Sequence, residues 1–206
     1  MIRIVVADDQ TLIRTALATT LDLEDDIEVV GQAATCAEAV SVCGETRPDV
    51  VVLDVQMPDG GLPVGDGIDT LPTLLAAAPD AKVVVVTTFG RPGYLRRALE
   101  SGAVGFMVKD APVDRLLDAV RRAAQGLRVV DPELAAASLS IGASPLSEKE
   151  ALVLAASSGG ASTHAIAQSV HLSEGTVRNY LSSAIGKVGA RNRAEALRQA
   201  TENGWV

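Results

Sequence analysis

The chain has 206 residues, 48% of them hydrophobic, with a formal net charge of −8 and a sequence pI near 4.8. At roughly 100–200 residues per domain, this length allows one large domain or two small ones. No apolar run reaches the ~20 residues needed to span a bilayer. The opening Met1-Ile2-Arg3-Ile4-Val5-Val6 leads into acids rather than a small-residue cleavage site, so a soluble cytoplasmic protein without membrane insertion is expected.

The acidity is unevenly spread. Residues 1–126 hold 11 lysines and arginines against 19 acids, a balance of −8, whereas residues 127–206 hold seven of each. Within 174–198 there are five basic residues and two acids. A local basic stretch decides where a polyanion lands, so the global pI does not exclude one as a partner.

Over the first 126 residues the chain alternates between two periods. Short β-branched runs predict strands at 2–7, 28–33, 50–54, 82–87 and 105–108. Val50-Val51-Val52-Leu53 and Val83-Val84-Val85-Val86 are continuously apolar, as in strands buried on both faces of a parallel sheet. Helical patterns at 11–23, 37–45, 68–78, 93–101 and 112–125 lie between and after them. Cys36 and Cys43 fall seven apart on one of these helices, too far to bridge, and read as small, reduced, buried residues. Asp110-Ala111-Pro112 supplies a cap and an early proline for the fifth helix, while Gly102 and Gly126 close the fourth and fifth. Five βα units imply an α/β fold: a doubly wound, five-stranded parallel sheet of flavodoxin-like type with helices on both faces.

Residues 127–145 break this rhythm. They contain a short helical pattern at 132–139 and then Ile141-Gly142-Ala143-Ser144-Pro145, and read as a linker with a short helix. From Leu146 onward no strand signal remains, and four helices fit, at 147–157, 163–170, 174–188 and 193–203. The division is therefore 1–126, a linker over 127–145, and an all-α four-helix domain over 146–206.

Polar residues of the first domain gather at its strand ends. Asp8 and Asp9 end the first strand, Asp54 the third, Thr87 the fourth and Lys109 the fifth. In a doubly wound sheet, ligands bind outside the carboxyl ends of the strands. Three converging carboxylates stay ionised only with a cation among them, and an all-oxygen set suits Mg²⁺. A lysine beside them neutralises part of the charge and can hold a phosphoryl oxygen, to which the threonine hydroxyl can also donate.

Asp8-Asp9, Asp54, Thr87 and Lys109 together resemble the signature of the receiver domains of response regulators, and the resemblance covers residues 1–126. It implies that Asp54 accepts a phosphoryl group from a sensor histidine kinase. It also implies that Asp8, Asp9, Asp54 and the backbone carbonyl of Gln56 hold Mg²⁺, and that Thr87 and Lys109 contact the phosphoryl group. Phe106, one of only five aromatic residues, would move with Thr87 on phosphorylation. One departure is the Gly- and Pro-rich stretch 59–67, longer than the family pattern by about five residues and read as a loop beside the acceptor.

In the C-terminal part, Ser147 has Glu150 three residues on, the capping-box spacing. A short helix, the turn His171-Leu172-Ser173 and a longer helix follow. In the longer helix, positions 177, 181, 184/185 and 188 form an apolar stripe and Arg178, Asn179, Ser182 and Lys187 lie opposite. Arginine suits guanine edges and asparagine adenine edges in the major groove. Leu146-Ser147, Lys149-Glu150, Val153-Leu154, Ile166-Ala167, Leu172-Ser173, Thr176-Val177 and Arg191-Asn192-Arg193-Ala194-Glu195-Ala196 resemble the LuxR-type helix-turn-helix of NarL/FixJ regulators. Leu152, where that family commonly has Glu, departs from the pattern. The resemblance implies a homodimer that binds double-stranded DNA on phosphorylation. It assigns Arg178, Asn179 and Ser182 to base edges, and Thr176 and Lys187 to the DNA backbone. Lys187, Arg191 and Arg193, by charge, would hold phosphates.

Thr87-Thr88-Phe89-Gly90-Arg91-Pro92-Gly93-Tyr94 is similar to the corresponding junction of regulators related to a membrane-lipid-fluidity (DesR-like) regulator, which implies a membrane-bound kinase. Two other readings compete. A metal-dependent phosphohydrolase would place its nucleophile after the first strand in an Asp-x-Asp pattern, and would leave the C-terminal helices unexplained. A vestigial receiver would bind DNA without phosphorylation. In the response-regulator reading the chain accepts a phosphoryl group and can lose it, but is not a metabolic enzyme.

Overall fold

A computed structural model of the chain describes residues 1–61, 66–88, 90, 92–131, 134–136 and 144–206. Contacts divide the chain into two compact units, one of Met1–Gly90 with Arg97–Ala135, the other of Arg91–Arg96 with Ala136–Val206.

Up to Val130 the chain follows the alternation of the sequence: β1 (Ile2–Ala7), α1 (Thr11–Asp22), β2 (Ile27–Ala33), α2 (Cys36–Thr46), β3 (Val50–Asp54), α3 (Gly67–Ala77), β4 (Lys82–Thr87), α4 (Pro92–Glu100), β5 (Gly105–Val108), α5 (Val113–Ala124) and β6 (Val129–Val130). The strands are parallel, in the order β2-β1-β3-β4-β5-β6. From β1 the chain winds to β2 on one side and then to β3 on the other, so the crevice between β1 and β3 opens at the switch point. All five residues of β3 are buried, as its unbroken apolar run requires.

Strand side chains alternate between the two faces. Ile4, Val6, Val50, Val52, Val84, Val86 and Met107 pack with Ala18 and Leu21 of α1 and Leu116, Leu117, Val120 and Ala123 of α5. On the opposite face α2 packs against α3. Cys36 and Cys43 are free and buried, and burial pushes the Cys43 thiol up to about 12, so it is protonated and inert at neutral pH.

The expected five-stranded sheet is corrected to six strands. Gly126, at φ +77°, ends α5 in the left-handed region, and the chain returns along the edge of β5, pairing Gly105 with Val129 and Phe106 with Val130. Two residues are too few to show a period in sequence. The expected cap at Asp110 is also replaced, because α5 starts from Pro112, which makes no side-chain cap. Of the expected linker helix, residues 134–136 are helical, while 132–133 and 137–143 lie outside the described residues. So do 62–65 of the long loop, and Phe89 and Arg91 of the β4–α4 junction.

The second unit holds α6 (Glu148–Ala155), a 3₁₀ turn (Ser158–Gly160), α7 (Thr163–Ser169), α8 (Glu174–Val188) and α9 (Arg193–Glu202). Each α-helix starts from a polar side chain that accepts a backbone N–H three residues on: Ser147, Ser162, Ser173 and Asn192. Such a cap is worth about 1 kcal/mol, which matters for helices this short. The expected capping box is present, with the Glu150 carboxylate accepting from Ser147 N at 2.7 Å. Val153, Leu154, Ile166, Val177, Leu181, Ala184, Ala196 and Ala200 form one core. Among the described residues, no helix is long and apolar enough to cross a membrane.

Candidate acidic site and candidate nucleic-acid interface

β1 and β3 are neighbours, with Ala7 opposite Leu53, so their next residues, Asp8 and Asp54, emerge side by side at the carboxyl edge. Asp8, Asp9 and Asp54 bring carboxylate oxygens within 4.8 Å of one another. Asp8 and Asp54 are buried and Asp9 is exposed. Lys109 follows β5, where its backbone N–H donates to the Thr87 carbonyl at 2.8 Å. Its ammonium reaches Asp8 Oδ2 at 2.6 Å and Asp54 Oδ2 at 2.8 Å.

Two of the three acids, Asp8 and Asp54, therefore share one lysine. Burial pushes the Asp54 carboxyl above the usual range, Lys109 pulls it back, and Asp8 adds to the rise. Burial works against the Lys109 ammonium, but Asp54 and Asp8 outweigh it and hold its pKa above the ordinary lysine value. Asp54 Oδ1 is buried and has no hydrogen-bond partner among the described residues. A buried carboxylate oxygen without a hydrogen-bond donor, in a cluster with surplus negative charge, suits the binding of a cation.

Thr87 and Phe106 are fully buried on adjacent strands. Phe106 pairs with Val85, two residues before Thr87, so both side chains lie on the same face of the sheet. Gln56 sits in the bend after β3. Two residues that sequence reasoning passed over help to build this edge. Arg14 of α1 donates to the Asp8 carbonyl at 2.6 Å. Gly67 opens α3 against Asp54, and a Cβ placed there would lie 2.0 Å from the Asp54 carbonyl oxygen. Asp66 caps α3, and Arg97 donates to the Asp66 carboxylate at 3.0 Å and to that of Asp69 at 2.8 Å. In the sequence Gly67 is only the end of the Gly- and Pro-rich loop 59–67, and its approach to Asp54 depends on the fold.

In the second unit, His171 takes φ +54° in the turn that leads from α7 into α8. Val177, Leu181 and Ala184 of α8 are buried, while Arg178, Asn179, Ser182 and Lys187 are exposed. Arg178, Asn179 and Ser182 have no side-chain partner among the described residues, which leaves their polar groups open to solvent. The other candidates are engaged. Thr176 Oγ1 lies 2.8 Å from the capping Ser173 hydroxyl. Arg191 pairs with Glu195 at 3.0 Å, and Arg193 donates to the Ala161 carbonyl at 2.8 Å. Lys187 pairs with Glu150 at 2.7 Å.

Residues 4–121 match the response regulator receiver domain family, and residues 144–200 match the luxR family of bacterial regulatory proteins. The chain is 40% identical over 206 residues to an uncharacterized transcriptional regulatory protein of Bacillus subtilis, YvfU, covering all of both chains. It is 38% identical over 205 residues to the transcriptional regulatory protein DesR of the same organism, covering 100% of this chain and 99% of that one. Among solved structures it resembles the response regulator ChrA of a heme-sensing two-component system, with 33% identity, a TM-score of 0.56, and coverage of 100% of this chain and 98% of that one.

Proposed function

The chain belongs to the response regulators that join a receiver domain to a LuxR-type DNA-binding domain, and on that premise we propose that phosphorylation of Asp54 controls DNA reading by α8. Residues 1–126 act as the receiver and 146–206 as the DNA-binding domain. Residues 127–145 connect them, lending Val129–Val130 to the sheet.

The observation that carries this reading is the Lys109 ammonium held between Asp54 and Asp8, beside Asp9, at the one sheet edge where ligands bind. Asp8, Asp9, Asp54 and the Gln56 carbonyl would hold Mg²⁺, which supplies charge neutralisation for an incoming phosphoryl group. A carboxylate oxygen of Asp54 forms the new P–O bond as the P–N bond of a phosphohistidine breaks, and the electron pair returns to the imidazole nitrogen. Lys109 and the Thr87 hydroxyl hold phosphoryl oxygens, and Phe106 follows Thr87 on their shared face. Arg178, Asn179 and Ser182 read base edges and Thr176 and Arg191 face the backbone, while the charge of Lys187 is taken up by Glu150. The kinase is a sensor histidine kinase in the membrane, and the regulator works in the cytoplasm as a homodimer on DNA. Phosphoryl acceptance and loss serve signalling, not metabolism.

Binding to a DNA library, measured with and without Mg²⁺ and a small phosphoryl donor, tests this. The donor is expected to tighten binding several-fold in the wild type and to do nothing for Asp54→Ala. Equal binding by both proteins with and without donor would replace the switch by a receiver that no longer signals.

A further inference from the structure

Glu150 lies at the third position of α6, is 5% exposed, and spends its whole carboxylate on three donors. Ser147 N supplies the capping-box bond at 2.7 Å. The other two donors come from α8: the Ser183 hydroxyl at 2.6 Å on Oε1, and the Lys187 ammonium at 2.7 Å on Oε2. Lys187 and Ser183 stand on the exposed side of α8, four residues apart, and Lys187 is the only lysine in that helix. The Lys187 side chain keeps 43% of its surface while the Glu150 side chain keeps 6%, so the bond lies at the boundary between core and solvent. Lys187, Ser183 and the Ser147 backbone, in that order of effect, lower the Glu150 carboxyl to about 2, so it is ionised at any physiological pH.

A lysine facing DNA normally contributes by releasing counterions from a phosphate, a term indifferent to sequence. A lysine whose charge is already matched at 2.7 Å by a fixed carboxylate contributes much less. The remaining polar face of α8, Arg178, Asn179 and Ser182, is suited to base edges. We propose that Glu150 is a specificity-setting, positioning residue of the DNA-binding domain. By holding Lys187 and Ser183 it fixes the pose of α8 and withholds the Lys187 charge from phosphates, lowering sequence-independent affinity relative to base reading. This rests on the assignment of α8 as the DNA-reading helix.

The test is the salt dependence of DNA binding by the full-length protein on a selected site and on a scrambled duplex. Lys187→Met leaves Glu150 with its Ser147 and Ser183 donors, and its slope of log K against log salt is expected to match the wild type. Glu150→Gln releases the ammonium, and the slope is expected to steepen by about 0.9 per protomer, one extra phosphate contact. Affinity for the scrambled duplex then rises several-fold and the ratio of selected to scrambled binding falls. Glu150→Gln combined with Lys187→Met is expected to return the slope to the wild-type value. A purely structural role for Glu150 would weaken binding without steepening the slope. If Lys187→Met alone flattens the slope by about 0.9, Lys187 is already a free phosphate ligand and the proposal is wrong, even if Glu150→Gln fails to fold. If the wild type prefers no duplex at all, with or without donor, the reading of α8 itself has failed.

Discussion

Asp54 is the acid of the site whose charged form burial works against. It is 2% exposed, shares Lys109 with Asp8, and leaves Oδ1 without a partner among the described residues. A carboxyl whose folded pKa lies above its ordinary value of 3.8 favours the fold only when protonated. That contribution is complete below 3.8 and is lost as pH rises through the folded value, so the ionised form is a liability at neutral pH. Asp54→Asn is therefore expected to stabilise the Mg²⁺-free first unit by about 1 kcal/mol at pH 7.5, with Asp8 and Lys109 left as a matched pair. The advantage should shrink as pH is lowered toward 4, and calorimetric melts at both values measure it. Mg²⁺ is expected to raise the wild-type transition and to raise that of Asp54→Asn much less. A variant no more stable than the wild type at pH 7.5 would show that Lys109 alone balances the cluster.

At the scale of elements, the site is a product of strand ends, and strand ends were what the sequence displayed best. Val50-Val51-Val52-Leu53 and Val83-Val84-Val85-Val86 have no solvent face, so each must stop where a polar residue begins, which located Asp54 and Thr87 before any coordinates. The cap Ser147 was legible for a similar reason, since a cap acts within four residues. Features that depend on distant partners were not. β6 exists only because β5 offers an edge, and Glu150 read as a cap although it also grips Lys187, 37 residues away. Gly67 belongs to this second group. Its amide donates to the Val55 carbonyl at 2.8 Å, and its missing Cβ lets the start of α3 lie against the end of β3. Gly67→Ala must push either element aside, because the obstacle is backbone rather than a flexible side chain. A loss of roughly 2–3 kcal/mol is expected. Phosphoryl acceptance should fall beyond what the stability loss explains, because the displaced backbone carries Asp54. Melting temperature and labelling by a small phosphoryl donor, measured on the same preparation, separate the two effects.

At the scale of the whole molecule, the distribution of charge constrains how phosphorylation can act. The first 126 residues carry the entire net charge of −8, and the last 80 are neutral. A phosphoryl group on Asp54 adds about one further negative charge, so long-range attraction to DNA can only weaken. The basic residues near α8 do not offset this freely, because Lys187 is matched by Glu150 and Arg191 by Glu195. Under the proposed function, tighter binding on phosphorylation must therefore come from something other than charge, and the pairing of two copies would supply it. A second reading helix held beside the first binds at an effective concentration near millimolar, without any new contact per copy. Two-fold symmetry places the two helices about one turn of duplex apart. Fluorescence anisotropy on duplexes with one or two half-sites distinguishes the cases. With two half-sites the donor is expected to tighten binding by about tenfold or more. With one half-site it should change binding less than about twofold, or weaken it slightly at low salt, where the added charge is least screened. An equal gain on both duplexes would mean that phosphorylation improves each DNA-binding domain on its own, and pairing would no longer be required.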